Sequence, residues 1–102
     1  MVKIIWTTRA LTDLQEIGEY ISRDSVQYAG LTLERIMETA AYVKTNPLIG
    51  RKVPEINEKS IREIITGSYR FIYKIENQSY IYILTIHHSA RLLKKRPLKG
   101  LK

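Results

Sequence analysis

The feature that most constrains this chain is a change in the spacing of its apolar residues near position 60. Between residues 10 and 43, apolar side chains recur at intervals of three and four, the period of a helix with one buried face. After residue 60 the interval becomes two, the period of a strand with one buried face. A chain that groups its helices before its strands in this way belongs to the α+β class.

Two helices are predicted before the change of period. The first follows Thr7 and Thr8, whose hydroxyls can cap it, and runs to about Arg23. The second starts after Asp24-Ser25 and ends at Asn46-Pro47, because proline disfavours a helical residue before it and has no N–H to donate. Since the connection is so short, the helices must pack antiparallel. Their apolar stripes are Ala10, Leu14, Ile17 and Ile21 in the first, and Val26, Ala29, Leu33, Ile36, Met37, Ala40 and Val43 in the second.

Strands are predicted on both sides of the helical hairpin. Residues 2–7 form a short strand, and residues 47–60, with two prolines and Gly50, form a loop. Strands at Ile61–Thr66, Tyr69–Ile75 and Tyr80–Ile86 are separated by spacers that suit hairpins, so they form an antiparallel meander with the first strand at its edge. The predicted order is β-α-α-β-β-β, a helical hairpin packed on one face of a small antiparallel sheet, in one domain over residues 1–102.

The charge of the chain is uneven. The net charge is +7, yet residues 1–46 carry five basic and six acidic side chains, whereas residues 47–102 carry twelve and four. A basic tail, residues 89–102, has no acid and holds Arg91, Lys94, Lys95, Arg96, Lys99 and Lys102. Such a field attracts nucleic acid, an acidic partner or an anionic membrane, and the alternative is a solvated tail that aids solubility.

Other classes are disfavoured by composition. There is no cysteine, which excludes disulfides and thiolate metal sites and suits a cytoplasmic protein. There is also no apolar run near 18 residues, so no membrane span is predicted.

Candidate functional residues lie on the last two strands. Arg70 lies on the opposite strand face from Tyr69, Phe71 and Tyr73, and we expect this face to be partly open because the helices cover only one side of the sheet. An open face with arginine and tyrosines can hold a phosphate backbone or a stacked base. The alternative is that the tyrosines are ordinary half-buried strand residues. We further expect Arg70 to serve function more than stability.

His87 and His88 are adjacent in the last strand and therefore point to opposite faces, so they cannot chelate one ion. We predict no metal and no cofactor. Either imidazole can act as a general acid or base or donate to a phosphate, and a structural or solvated histidine is the alternative.

Two segments carry a resemblance to a known group of proteins. The segment from Arg62 to Tyr73, REIITGSYRFIY, and the segment from Ile81 to Arg91, IYILTIHHSAR, resemble the ParE/RelE superfamily of toxins from type II toxin–antitoxin pairs. The apolar pattern of the first helix, the long second helix and the Pro47…Gly50 loop extend the resemblance over nearly the whole chain. The resemblance implies the fold predicted above and a toxin that a cognate antitoxin neutralises.

The superfamily contains two mechanisms, and the C-terminal motif of this sequence favours one of them. ParE-like members bind DNA gyrase and trap its cleaved DNA complex, whereas RelE-like members cut messenger RNA in the ribosomal A site. His88 and Arg91 match the closing "H-x-x-R" of the ParE type, and no tyrosine follows Tyr82 to match the C-terminal tyrosine of RelE-like sites. The resemblance thus favours a gyrase inhibitor without catalysis. The alternatives are a ribosome-dependent endoribonuclease and a general nucleic-acid-binding domain.

The resemblance and the charge pattern together give the predicted site residues. For a nuclease, the catalytic candidates are Arg70, His88 and Arg91. For target binding, the predicted residues are Arg62, Arg70, His87, His88, Arg91, Lys94, Lys95 and Arg96.

Overall fold

Two helices pack on one face of a five-stranded sheet in the computed structural model, which describes residues 2–89. The elements are β1 (Lys3–Trp6), α1 (Thr8–Ser22), α2 (Val26–Thr45), β2 (Arg51–Lys52), β3 (Ile61–Thr66), β4 (Tyr69–Ile75) and β5 (Tyr80–His88). The predicted class and order are confirmed. No helix within residues 2–89 is long and apolar enough to cross a membrane.

Hydroxyl caps start both helices, as the sequence predicts. The Thr7 hydroxyl accepts a hydrogen bond from the Ala10 amide at 3.1 Å, and the Ser25 hydroxyl accepts one from the Tyr28 amide at 3.0 Å. Thr7 Oγ1 also donates to the carbonyl of Ile83 at 2.8 Å. The start of α1 is therefore tied to the middle of β5.

The sheet has the strand order β1-β5-β4-β3-β2. The predicted meander of β3, β4 and β5 is confirmed, and β1 lies at its edge. Two details differ from the prediction. The sheet is mixed, because β1 pairs parallel with β5, and the predicted loop contains β2, whose Arg51 and Lys52 pair with Glu63 and Arg62.

The main core lies between the helices and the sheet. Its buried residues come from both predicted helical stripes and from one face of β4 and β5: Ala10, Ile17, Ile36, Ala40, Val43, Phe71, Tyr73, Ile81, Ile83 and Ile86. Trp6 packs at its border, with its ring edge-on to Phe71 at 6.1 Å between centroids. Val26 and Met37, predicted on the apolar face of α2, are exposed instead.

A β-bulge in β5 changes which side chains share a face. Tyr73 pairs with Ile83 whereas Ile72 pairs with Thr85, so Leu84 is an extra residue on β5. Strict alternation groups Ile86 with Leu84, but the bulge places Ile86 in the helix-side core. It also brings Thr85 to α1, where the Thr85 hydroxyl and the Ile86 amide donate to Asp13 Oδ2 at 2.5 and 3.0 Å.

The face of the sheet away from the helices, here called the far face, is covered over much of its area. Val53 and Ile56 of the segment between β2 and β3 pack over Ile61, Ile72 and Leu84. Part of this face is open, as at Ile65, but the expectation that Arg70 lies on the open part is wrong. The sequence pattern marks residues 47–60 as a loop but does not show that this loop folds back over the sheet.

Gly50 is a point of very close packing at the start of β2. The Tyr73 hydroxyl accepts from the Gly50 amide at 2.9 Å and donates to the Pro47 carbonyl at 2.6 Å. A Cβ atom at Gly50 would lie 2.7 Å from both the Glu63 carbonyl oxygen and the Tyr73 hydroxyl. Burial raises the pKa of Tyr73, so its phenol keeps the proton that it donates.

We expect Gly50→Ala to destabilise the protein by about 1–3 kcal/mol, the usual cost of forcing atoms into a filled space. Gly30→Ala is the matched control, because a Cβ at Gly30 meets no heavy atom within 4 Å and Gly30 lies inside α2. The control gains about 0.5–1 kcal/mol from helix propensity. Urea denaturation of both variants tests the packing, and equal stability of the two would contradict it.

Candidate functional site

Arg70 lies at the centre of an ion-pair network on the far face. It is only 8 % exposed. Its Nε and Nη2 atoms lie 2.7 and 2.5 Å from Glu63 Oε1. Its Nη1 and Nη2 atoms also donate to the two oxygens of Glu55, each at 2.8 Å. All three guanidinium nitrogens therefore contact carboxylates.

Glu63 connects Arg70 to a second arginine. The Glu63 side chain is fully buried, and its other oxygen, Oε2, accepts from Arg51 Nε at 2.7 Å and lies 2.7 Å from Arg51 Nη2. The order Arg51, Glu63, Arg70, Glu55 thus alternates positive and negative charge across β2, β3, β4 and the covering loop. Hydrogen bonds from Arg70 hold the pKa of Glu55 below its usual value, and the two carboxylates raise the pKa of Arg70 above its ordinary value.

This network corrects the expectation that Arg70 is exposed, and it gives Arg70 contacts that can stabilise the fold. Its partner Glu63 lies two strand positions from the residue opposite Arg70, which is Ile65, and Glu55 comes from the covering loop. Neither contact follows from the neighbours of Arg70 within β4, which are all that the sequence pattern shows. A guanidinium held by two carboxylates is also poorly placed to stabilise the charge of a phosphoryl transition state.

The two histidines lie at the end of β5. In the register of β4 and β5, His87 lies opposite Arg70 and His88 lies opposite Tyr69. His87 also contributes to lowering the pKa of Glu55. The His88 and Tyr69 rings meet edge to face with centroids 5.3 Å apart. Both histidines border a groove of about 810 Å³ along α1. Within residues 2–89, no group of three His, Cys, Asp or Glu residues is placed to hold a metal ion.

Five predicted binding residues remain, and the structure describes one of them, Arg62. Arg62 is half-buried, and it donates to the carbonyls of Lys59 at 3.0 Å and Gly50 at 2.7 Å, so it also holds the covering loop. Arg91, Lys94, Lys95 and Arg96 lie outside the described residues. The structure therefore does not bring the predicted set together into one described surface.

A surface that sequence reasoning missed lies between α2 and β3, and we call it the α2–β3 groove. It has a volume of about 470 Å³ and is lined by Thr39, Tyr42, Ile49, Arg51, Glu63, Ile64 and Ile65. Three of its large apolar side chains remain exposed: Tyr42 by 62 %, Ile49 by 51 % and Ile65 by 53 %. Two features of the sequence could have indicated this groove. Tyr42 lies outside the apolar stripe of the second helix, and residues 48–49 and 64–65 are two pairs of consecutive apolar residues.

Comparison with known proteins identifies the family. Residues 4–93 match the model of the family described as the ParE toxin of the type II toxin–antitoxin system, parDE. The chain belongs to the ParE toxin family. It is thus a type II toxin, which implies a cognate antitoxin, and the resemblance predicted from the sequence is confirmed.

Individual relatives agree with this assignment. The chain is 32 % identical over 87 residues to a putative toxin, Y4kP, of Sinorhizobium fredii, covering 85 % of this chain and 88 % of that protein. It is 29 % identical over 92 residues to toxin RelE2 of Caulobacter vibrioides, covering 90 % and 100 %. A solved structure titled "Chromosomal ParDE TA system from P. aeruginosa" has the same fold, with a TM-score of 0.69 and 22 % identity over 86 % of this chain and 96 % of that one.

Replacing Arg70 tests the network directly. We expect Arg70→Ala to cost about 3 kcal/mol of unfolding free energy, since breaking a buried pair leaves charge uncompensated. Lys52→Ala, an exposed basic residue in neighbouring β2, should change stability by no more than about 0.5 kcal/mol. Chemical denaturation measures both. A loss at Arg70 as small as that at Lys52 would contradict the structural role.

Glu55 gives the network a pH dependence with a defined sign. Because the folded pKa of Glu55 is lowered, the ion pair stabilises the fold above the unfolded pKa, about 4.3, and this stabilisation is lost as the pH falls through the folded value. Glu55→Gln should therefore be less stable at pH 7 and lose less stability between pH 6 and 3. The difference in unfolding free energy between Glu55→Gln and the unaltered protein at pH 7 should stay below about 1 kcal/mol, because Glu55 is partly exposed. Parallel pH profiles for the two proteins would contradict it.

Proposed function

We propose that this toxin acts in the cytoplasm by inhibiting DNA gyrase, without catalysis of its own. The observation that favours gyrase inhibition over RNA cleavage is that Arg70 forms ion pairs with Glu55 and Glu63. The match to the ParE family over residues 4–93 supports the same choice.

The charge balance around Arg70 disfavours a nuclease. Cutting a phosphodiester through a 2′-hydroxyl requires a cation that meets the negative charge of the transition state. On the far face, the candidate cation already bonds two carboxylates, one of them fully buried. A phosphate that approached Arg70 would meet the same carboxylates, and displacing them would leave Glu63 with only Arg51. An inhibitor that binds its target without chemistry requires no free arginine there.

The ribonuclease alternative is supported by one geometric feature and one relative. His88 lies beside Tyr69, so an imidazole and a phenol that can transfer protons are adjacent. A relative that is 29 % identical carries the name toxin RelE2. We therefore treat ribosome-dependent cleavage as the competing outcome of the functional test.

The proposed target-binding residues are the predicted set with Arg70 reassigned to structure. His87 and His88 lie at the described end of β5, immediately before the basic tail, residues 89–102. A target surface engaged by this tail would be bound through charge, so its affinity should fall as salt rises. Arg62 remains a candidate, although its guanidinium already bonds two carbonyls.

Expression of the toxin tests the proposal. Induction in bacteria should stop growth, co-expression of the cognate antitoxin should restore it, and purified toxin should inhibit supercoiling by gyrase. The same preparation should leave messenger RNA on ribosomes uncut. Toe-print cleavage on ribosomes together with normal supercoiling would reverse the assignment in favour of the ribonuclease.

A further inference from the structure

We infer that a small pocket beside the turn between β3 and β4 binds one phosphate group of a nucleic-acid strand. This turn pocket has a volume of about 120 Å³ and lies where Gly67 and Ser68 meet the helical hairpin and the end of β5. None of its lining residues belongs to the ion-pair network around Glu63. The inference goes beyond the proposed function and holds for either target, because gyrase and the ribosome both hold nucleic acid.

The lining of the turn pocket has basic side chains and no carboxylate. Arg35 of α2 and His88 of β5 line it together with hydroxyl groups from α2 and from the turn. The two larger grooves differ in this respect. Glu63 lines the α2–β3 groove, and the groove along α1 is lined by three acids, Asp13, Glu16 and Glu19. A concave site with cations and no acid favours an anion.

Arg35 supplies the charge for this anion. Its side chain is exposed, and no salt bridge joins it to an acid within residues 2–89. Glu34 and Glu38, the acids nearest to it along α2, do not line the pocket. A guanidinium can donate to two oxygens of one phosphate group at the same time. Arg70 differs, because all three of its guanidinium nitrogens contact carboxylates.

Further donors line the pocket from the turn and from β5. Ser68 is exposed, and its hydroxyl can donate to a phosphate oxygen. The His88 imidazole can donate from a ring nitrogen. The Thr32 hydroxyl is not counted as a donor, because it already donates to the Tyr28 carbonyl at 2.9 Å. Donors from three separate elements thus line one small space.

The walls of the turn pocket are joined to one another. The Thr66 and Thr39 hydroxyls lie 2.9 Å apart and connect the turn to α2. The amide and hydroxyl of Ser89 donate to the Ser68 carbonyl at 2.7 and 2.9 Å, which connects the turn to the end of β5. Gly67 has a φ of +59°, which suits the first position of a two-residue hairpin turn. A site that is already formed loses less entropy when it binds a ligand.

The size of the pocket and its aromatic neighbour favour a nucleotide as the source of the phosphate. About 120 Å³ is the space of roughly four water molecules at ~30 Å³ each, which suits the four oxygens of a phosphate group and excludes a base. The attached base therefore has to lie outside. Tyr28 lines the pocket and is 54 % exposed, so it offers an aromatic ring on which this base can stack.

Two variants that each remove one positive charge from α2 test the site. Binding of a fluorescent oligothymidine of about ten nucleotides is measured by anisotropy at several salt concentrations. Arg35→Ala should weaken binding about tenfold and reduce the salt slope by about 0.7. Lys44→Ala is the control, because Lys44 is exposed, does not line the pocket and lies about 14 Å further along the helix. It should stay within about twofold, and an equal loss in both variants would overturn the site.

A second pair adds an acid at either end of β4. Ser68→Asp places a carboxylate in the turn pocket, and Ser79→Asp makes the same change before β5, at the opposite end of the sheet. Aspartate is favourable in turns, so both variants should fold, and thermal denaturation checks this. Ser68→Asp should weaken oligothymidine binding at least about tenfold, and Ser79→Asp no more than about twofold. Unchanged binding by folded Ser68→Asp would overturn the inference.

Amide resonances in the isotope-labelled toxin identify the source of the phosphate. Oligothymidine should shift the Gly67 and Ser68 amide resonances, and inorganic phosphate should do so only at higher concentration. No shift with either probe would overturn the site. Tighter saturation by inorganic phosphate, or by a phosphoserine peptide, would overturn the assignment to nucleic acid. These assays contain no gyrase, so a toxin that binds oligothymidine through Arg35 but leaves supercoiling unchanged would refute the proposed function alone.

Discussion

The far face of the sheet depends on one buried carboxylate, that of Glu63. An isolated carboxylate in such a place would cost several kcal/mol, so it is retained only with its partners in place. Those partners are Arg51 on β2 and Arg70 on β4, and Arg70 in turn holds Glu55 of the covering loop. A slip of β3 by one residue would turn Glu63 toward the apolar core against the helices. The network therefore favours a single register of three strands and fixes the loop over them.

The same network changes how the charge of the chain should be interpreted. Residues 47–89 hold six basic and four acidic side chains, and two of each neutralise one another around Glu63. A further pair, Lys74 and Glu76, lies at 3.3 Å. Most of the excess of positive charge therefore belongs to the sequence beyond residue 90. The part of the chain that the structure describes, residues 2–89, carries eleven basic and ten acidic side chains and is therefore close to neutral.

The predictable part of this protein is the part governed by local spacing. The helical stripes, the caps at Thr7 and Ser25 and the meander follow from residues within a few positions of each other. The bulge at Leu84 was not predictable, because an extra residue is visible only against the partner strand. Arg70 was misjudged for a related reason: its carboxylates come from another strand and from a loop, so no pattern within β4 reveals them. The α2–β3 groove likewise joins three separate segments of the chain.

The short length of β2 is a consequence of how the core is closed. Tyr73 is fully buried in the core between the sheet and the helices, and its hydroxyl reaches the Pro47 carbonyl and the Gly50 amide. These bonds satisfy the polar end of a buried side chain and, at the same time, bend the chain away before β2 can lengthen. A longer β2 would cover Ile65 and fill the groove. The turn at Gly50 has no room for a side chain, and the strand that follows it, β2, is only two residues long.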